Sequence, residues 1–358
     1  MKYIAFYLPQ FHEEPLNEAI WGKKFTDWTT SQNSKPLYIG HSQPKVPAFE
    51  QYDLDDKSQT IREQVIKAKE IGIDAFSFYF YSFDERTTAL RKPVKDFLHS
   101  DIDFPFILTW ANHSWTKAWV GDHKTVIAEQ KFDNDQVDVF IKDSLEYLLD
   151  SRYETIDGRP VICILNIENL DVSYLKKTLG QEINKVKGVY IEPYIVTTYS
   201  EKNNVTGVDL FIGWPPGDVG LLGMQKLPKI KRVLRGTLSS IESSFVFKHL
   251  NRGCERLLLR KQQSLATNNT DNNIFFSQTI LTGWDNSPRY SYKAYEVMPC
   301  KEDHYIKHVS DIMISNKGRN VPFTFIKAWN EWAEGNVMEK SLNGVDYGEL
   351  IRKCISDD

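Results

Sequence analysis

Eight short runs of apolar, β-branched and aromatic residues, separated by stretches with helical spacing, limit what this chain can fold into more than any other feature. The runs are Tyr3–Leu8, Ala75–Tyr81, Phe104–Ala111, Val161–Asn166, Val189–Thr198, Val208–Trp214, Ile274–Leu281 and Phe323–Trp329. Ile61, Val65, Ala68 and Ile71 predict a helix over 56–71 that Gly72 would end, and further helices are predicted over 92–99, 134–150, near Tyr174, and over 305–314 and 347–356. Strands that read as near-continuous apolar runs are covered on both faces, as in parallel sheets flanked by helices. Eight of them predict an α/β fold, a (β/α)₈ or TIM barrel, forming a single domain over 1–358. The competing open, doubly wound sheet would carry a glycine-rich first turn if it bound a nucleotide. The first turn here is Pro9-Gln10-Phe11-His12, and the first glycine is Gly22. Two connections, after run one and between runs six and seven, are long enough to serve as binding walls or lids.

Composition narrows the function. With 20 Phe, 17 Tyr and 9 Trp the chain has ample core-forming groups, which excludes disorder. A net charge of −4 gives no electrostatic reason to expect nucleic acid. The opening apolar run is too short for a signal peptide, and no apolar stretch reaches the ~18 residues of a membrane-spanning helix. Cys163, Cys254, Cys300 and Cys354 are scattered without metal-ligand spacing. These features predict a cytoplasmic protein without metal or other cofactor.

In a barrel the active site lies at the C-terminal ends of the strands. Trp21 and Trp28 follow run one; Trp110, Trp115 and Trp119 end or follow run three; Trp214 closes run six, Trp284 follows run seven, and Trp329 and Trp332 close run eight. All nine therefore map to one rim, and none falls on a predicted helix. Aromatic faces suit the apolar faces of sugar rings, and the indole N–H adds a polar handle. The competing reading is plain packing of large side chains under loops. Polar candidates share the rim: Tyr7 near the end of run one with Gln10 and His12 after it, Tyr79 and Tyr81 at the end of run two, Asn112 and His113 after run three, and Asp285 and Arg289 after run seven. Singly each would be structural; together they supply the directional contacts that a hydroxyl-rich ligand requires.

The last run ends in Lys327-Ala-Trp-Asn330-Glu331-Trp-Ala-Glu334-Gly335. Side chains three apart on a strand point to opposite faces. Glu331 and Glu334 converge only if the chain turns after about Asn330, and Gly335 and Asn336 suit such a turn. In a helical turn their Cβ atoms would lie ~5–6 Å apart, close to the ~5–5.5 Å between the carboxyls of retaining glycosidases. Flanking Trp329 and Trp332 would raise the pKa of one carboxyl, as a general acid needs. An ExxE pair that merely faces water is the plainer alternative.

The stretches YLPQFH, WGKKFTDW, GIDAFSFYFYSF, WANHSWT, GWDNSPR and KAWNEWAEGN, spread from residue 3 to beyond 330, resemble the WbsX-type, glycoside hydrolase family 99-like proteins of bacterial surface-polysaccharide gene clusters. The resemblance implies a (β/α)₈ barrel and kinship with enzymes that cleave internal α-mannosidic bonds with retention. It implies that Glu331 deprotonates the sugar's own 2-hydroxyl to form a 1,2-anhydro intermediate. Glu334 would protonate the leaving oxygen and then activate water. It implies an oligo- or polysaccharide partner, lipid-linked if the protein acts during synthesis. This chain has Ala333 where the hydrolases carry His, and His113-Ser114 and Ala118 where close relatives read otherwise.

Two other functions compete. A nucleotide-sugar-dependent glycosyltransferase would want a DxD-like metal site; Asp53-Leu-Asp55 and Asp133-Asn-Asp135 have the letters but read as helix N-caps. A non-catalytic glycan-binding scaffold would keep the rim and lose turnover. The segment 226–261 holds ten Lys/Arg against two Glu, which reads either as a solvated face or as a peripheral contact with the inner membrane.

Overall fold

The period of two along each strand decides which side chains meet inside the molecule and which meet the helices. The structure is a computed structural model that describes residues 1–84, 88–116, 125–199, 206–217, 243–245, 247, 252–255, 264 and 275–356. Strands β1 (Lys2–Tyr7), β2 (Ala75–Ser82), β3 (Phe106–Trp110), β4 (Arg159–Ile164), β5 (Tyr194–Thr198), β6 (Leu210–Ile212), β7 (Phe276–Ser277), β8 (Ile280–Leu281) and β9 (Phe323–Lys327) form one curled sheet. All pair in parallel, in the order β7-β6-β5-β4-β3-β2-β1-β9-β8. The two ends of this order, β7 and β8, are separated in the chain only by Gln278 and Thr279.

Every expected run contributes a strand, with two differences. The fifth begins only at Tyr194, after Pro193, which lacks the N–H a ladder needs. The seventh is broken in two. Buried Asn316 takes up the backbone groups at the break: its Oδ1 accepts from Gln278 N at 2.9 Å, and its Nδ2 donates to Gln278 O at 2.9 Å.

Helices α1 (Pro15–Trp21), α2 (Asp27–Gln32), α3 (Gln59–Ile71), α4 (Arg91–Leu98), α5 (Asn134–Leu148), α6 (Val172–Lys187), α7 (Ser287–Tyr290), α8 (Glu302–Gly318) and α9 (Tyr347–Ser356) are described. The apolar spacing read from the sequence holds in α3, which buries Ile61, Val65 and Ala68 and ends at Gly72 with φ +95°. α1 and α2 were not expected, because each is too short to show a helical repeat. A start signal existed: Pro15 opens α1 behind Glu14, whose carboxylate accepts from Leu16 N. Trp21 and Trp28 thus lie on helices, contrary to the expected pattern.

Inside the sheet, Phe6 stacks on Tyr79 and Phe325 with ring centroids 5.8 and 5.2 Å apart. The alternate residues point outward, where Phe78 meets Phe97 of α4 and Phe80 meets Phe140 of α5. Tyr79, Tyr81 and Lys327 therefore point inward, while Tyr7 and Trp110 point away.

Asp133 does cap α5, accepting from Gln136 N at 2.9 Å. The other acidic pair does not cap: Asp55 pairs with Lys92, and Asp56 accepts from Thr60 N at the start of α3. Among the described residues no helix is long and apolar enough to cross a membrane. Most of the basic segment 226–261 lies outside the described residues, as do Trp119 and Ala118.

Candidate active site

Beyond β9 the chain makes a small hairpin. Asn330–Glu331 pairs antiparallel with Asn336–Val337, and Trp332–Glu334 forms a 3₁₀ turn between them. Side chains at i and i+3 eclipse in such a turn, so Glu331 and Glu334 lie on one side, close enough for each to shift the other's titration. Gly335 closes the turn at φ +59°, where a Cβ would sit 3.0 Å from Asp285 N and 3.1 Å from Asp285 O. Only glycine fits that position without strain.

Three side chains hold the hairpin. Asn330 Oδ1 accepts from Leu8 N at 2.7 Å and its Nδ2 donates to Leu8 O at 3.0 Å, which ties the turn to the end of β1. Asp27, fully buried in α2, accepts from Ala333 N at 2.9 Å, inside the turn itself. Its other oxygen lies 3.3 Å from Arg289 Nη2, and Arg289 Nη1 donates to Glu334 Oε1 at 2.6 Å. Arg289 thus bridges two carboxylates.

The two glutamates titrate apart. Burial, and then the neighbouring Glu334, push Glu331 up to about 8, although Tyr79 OH donates to its Oε1 at 2.5 Å. Burial pushes Glu334 up as well, but the Arg289 and Lys327 charges outweigh it and hold this carboxyl below its ordinary value. The pair therefore favours a proton on Glu331 over one on Glu334. Burial, the effect expected to raise one carboxyl, is the largest contribution to the rise of Glu331, and charge placement separates it from Glu334.

Both carboxyls open into a cavity of about 580 Å³ at the C-terminal ends of the strands. Of the expected sugar contacts, Gln10, Trp21, Tyr79, Tyr81 and Trp115 line it, and so do Trp214, Trp284 and Arg289. The structure adds Asn17, Asn166 and Lys327, which were not among the candidates; His113 also faces it. Lys327 and Asp27 lay inside quoted motifs, and the inward parity of Phe325 was a usable signal for Lys327. Asn17 had no signal, because α1 was unrecognised.

The other candidates do not line the cavity. Tyr7 OH donates to Gln64 Oε1 on α3 at 2.6 Å, and Trp110 stacks on Phe140 at 4.0 Å; both sit on the outward parity of their strands. Trp329 packs on Phe76, and Trp332 packs on Trp28 while donating to Glu339 Oε2 at 2.8 Å. His12 bonds Pro9 O at 3.0 Å through Nδ1, and Asn112 clasps the backbone of Asn166. Leu37 N donates to His41 Nδ1, so His41 Nε2 carries the proton and donates to Asp285 at 3.0 Å. With Gln43 Nε2 donating at 2.6 Å as well, Asp285 is a structural hub. Asn330 acts through the hairpin it ties down. The rim of nine tryptophans is thus four cavity residues, four packing residues and Trp119.

A family model described as glycosyltransferase WbsX matches residues 3–349. The protein WxcX of Xanthomonas campestris pv. campestris (strain B100) is 30% identical over 369 residues, covering 99% of this chain and 49% of the relative. WxcX of a second strain is 29% identical over 367 residues, covering 99% of this chain and again 49% of the relative. The chain spans about half the length of these relatives. Among solved structures, a glycoside hydrolase-like protein superposes with a TM-score of 0.59 at 15% identity, covering 99% of this chain and 93% of that one. The GH99 endo-α-mannosidase of Bacteroides thetaiotaomicron superposes with a TM-score of 0.56 at 11% identity, covering 99% and 96%. Those two likenesses establish a shared fold. The carboxylate hairpin, the aromatic cavity above a curled parallel sheet, and the full-length family match lead to one assignment: the chain belongs to the WbsX glycosyltransferase family.

Proposed function

We propose that this carbohydrate-active chain makes or breaks glycosidic bonds in surface-polysaccharide metabolism, by retaining chemistry at Glu331 and Glu334. The observation that carries this reading is the pair of buried glutamates on one 3₁₀ turn, held by Asn330, Asp27 and Arg289 at the wall of an aromatic-lined cavity. Inverting enzymes hold their carboxyls ~6.5–9.5 Å apart to admit a water between them. Two carboxyls at i and i+3 around one 3₁₀ turn leave no such gap, which favours retention. Gln10 Nε2 and Asn17 Nδ2 are buried in the cavity wall without a hydrogen-bond acceptor among the described residues. Sugar hydroxyls are acceptors of the right kind. We include in the proposal that the curled sheet closes as an eight-stranded barrel, since β7 and β8 are one interrupted strand.

In the resting protein the proton is favoured on Glu331, opposite to the roles that the resemblance implies. One proton transfer from Glu331 to Glu334 reconciles them. Glu331, now ionised, takes the proton of the sugar 2-hydroxyl as O2 bonds to C1. Glu334 gives its proton to the departing glycosidic oxygen as the C1–O bond breaks. Water, or an acceptor hydroxyl, then loses its proton to Glu334 while attacking C1, and Glu331 returns its proton to O2. Water yields hydrolysis and a sugar hydroxyl yields transfer.

The glycosyltransferase description of the family keeps a nucleotide-sugar route in view. One assay separates the two. The source organism's own surface oligosaccharides are incubated with wild type, Glu331→Gln and Glu334→Gln, with and without nucleotide sugars, and products are read by mass spectrometry. Cleavage or transfer without nucleotide sugar, lost in both variants, is expected. Product that requires nucleotide sugar, or survives both substitutions, overturns the proposal.

A further inference from the structure

Lys327 is a cation in the cavity wall that acts on the carboxylate pair at a distance and makes no ion pair with it among the described residues. It ends β9 on the inward parity, is 4% exposed, and lines the cavity. Its Nζ lies 4.0 Å from the ring centroid of Trp214 and 4.8 Å from that of Trp284, so the ammonium sits between two indole faces. Among the described residues, no carboxylate is within 4.0 Å of it. Arg289 differs, since Glu334 and Asp27 both pair with it. Among the described residues the Lys327 ammonium has no hydrogen-bond acceptor and no ion-pair partner of its own, and its contacts are the two indole faces. Aromatic faces offset only part of the cost of dehydrating an ammonium.

We infer that the cavity takes an acidic glycan, in which the sugar beside the carboxyl pair carries a carboxylate received by Lys327 between Trp214 and Trp284. This rests on the glycan-processing reading above and deepens it. A single ammonium without a direct partner matches a monoanion better than a phosphate dianion, and it lacks the planar fork that suits phosphate. The indole faces fit the apolar face of the same sugar ring, while their cation holds its C6 substituent. Binding also feeds back on the chemistry. The Lys327 charge lowers both Glu331 and Glu334. A bound carboxylate cancels that pull, so Glu334 accepts a proton more readily and is readied as the acid.

The test is a ligand-observed NMR titration of wild type, Lys327→Met and Lys327→Arg. The probes are methyl glycosides of gluco, manno and galacto configuration, each alongside its C6-carboxylate counterpart and its 6-phosphate. In wild type, at least one uronide is expected to bind about tenfold or more tightly than its neutral partner, a difference near 1.4 kcal/mol. Lys327→Met should erase that preference while still binding the neutral sugar, and Lys327→Arg should keep part of it. Equal binding of neutral and acidic sugars, a preference for the phosphate, or a uronide preference unchanged in Lys327→Met overturns the inference and leaves the glycan site standing. If wild type with a native circular-dichroism spectrum binds none of the probes, both readings fall.

Discussion

Replacing Glu331 by glutamine should cost little stability at acid pH and increase stability progressively as the pH rises. Burial and Glu334 move this carboxyl from its ordinary 4.5 up to about 8. Between those two values the folded protein keeps a proton that the unfolded chain has released, so the free energy of unfolding falls as pH increases through the window. At 1.36 kcal/mol per pH unit, the separation amounts to about 5 kcal/mol above pH 8. That is an upper bound, since an ionised Glu331 would draw water or Lys327 toward itself. Glutamine keeps the shape of the neutral acid and can still donate a hydrogen bond, yet it cannot ionise. The assay is thermal unfolding of both proteins at pH 5, 7 and 9 at one ionic strength. Midpoints should be similar at pH 5, with Glu331→Gln higher by several degrees at pH 9. A difference that is flat with pH, or that shrinks as pH rises, refutes the placement of the proton on Glu331.

Glu334→Gln should behave oppositely. Its carboxyl is held low by Arg289, so its stabilisation is present above the ordinary value and lost as pH falls through the folded one; removing it should cost about 3 kcal/mol at pH 7 and little at strongly acid pH, read by the same unfolding series. Asp27→Ala removes the acceptor of Ala333 N and one partner of Arg289; a loss of about 2 kcal/mol is expected, with a larger fall in kcat than in KM on the glycan substrate, and an unchanged kcat would count against the scaffold role. Gly335→Ala puts a Cβ 3.0 Å from Asp285 N at φ +59° and should lower the unfolding midpoint by the equivalent of ~1–3 kcal/mol. Trp21→Ala should weaken glycan binding while leaving the pH dependence of unfolding as in wild type, since its ring lines the cavity and is not among the main groups that shift the titration of either glutamate.

Much of this molecule was legible in the residue order, because apolar periodicity and turn chemistry are local. The runs that became the sheet, the α3 spacing before Gly72, and the need for a turn between Glu331 and Glu334 all follow from neighbours in the chain. Parity is local too: alternation along β1, β2 and β3 is enough to separate inward Tyr79 from outward Tyr7 and Trp110. Short helices escaped because one or two turns show no repeat, and Trp21 and Trp28 were misread with them.

What the sequence determined by itself was the α/β architecture, the family, and the presence of a carboxylate pair after the last strand. Tertiary structure decided which carboxyl holds the proton, because that depends on burial and on Arg289 and Lys327, which reach the pair from other parts of the fold or from its inner face. It also decided which tryptophans face a ligand. Asp285 and Asp27 show why: the candidate of the two tethers His41 and Gln43, while the overlooked one grips the carboxylate turn from 306 residues away. Charge and solvent exclusion act through space, and only the folded chain fixes those distances.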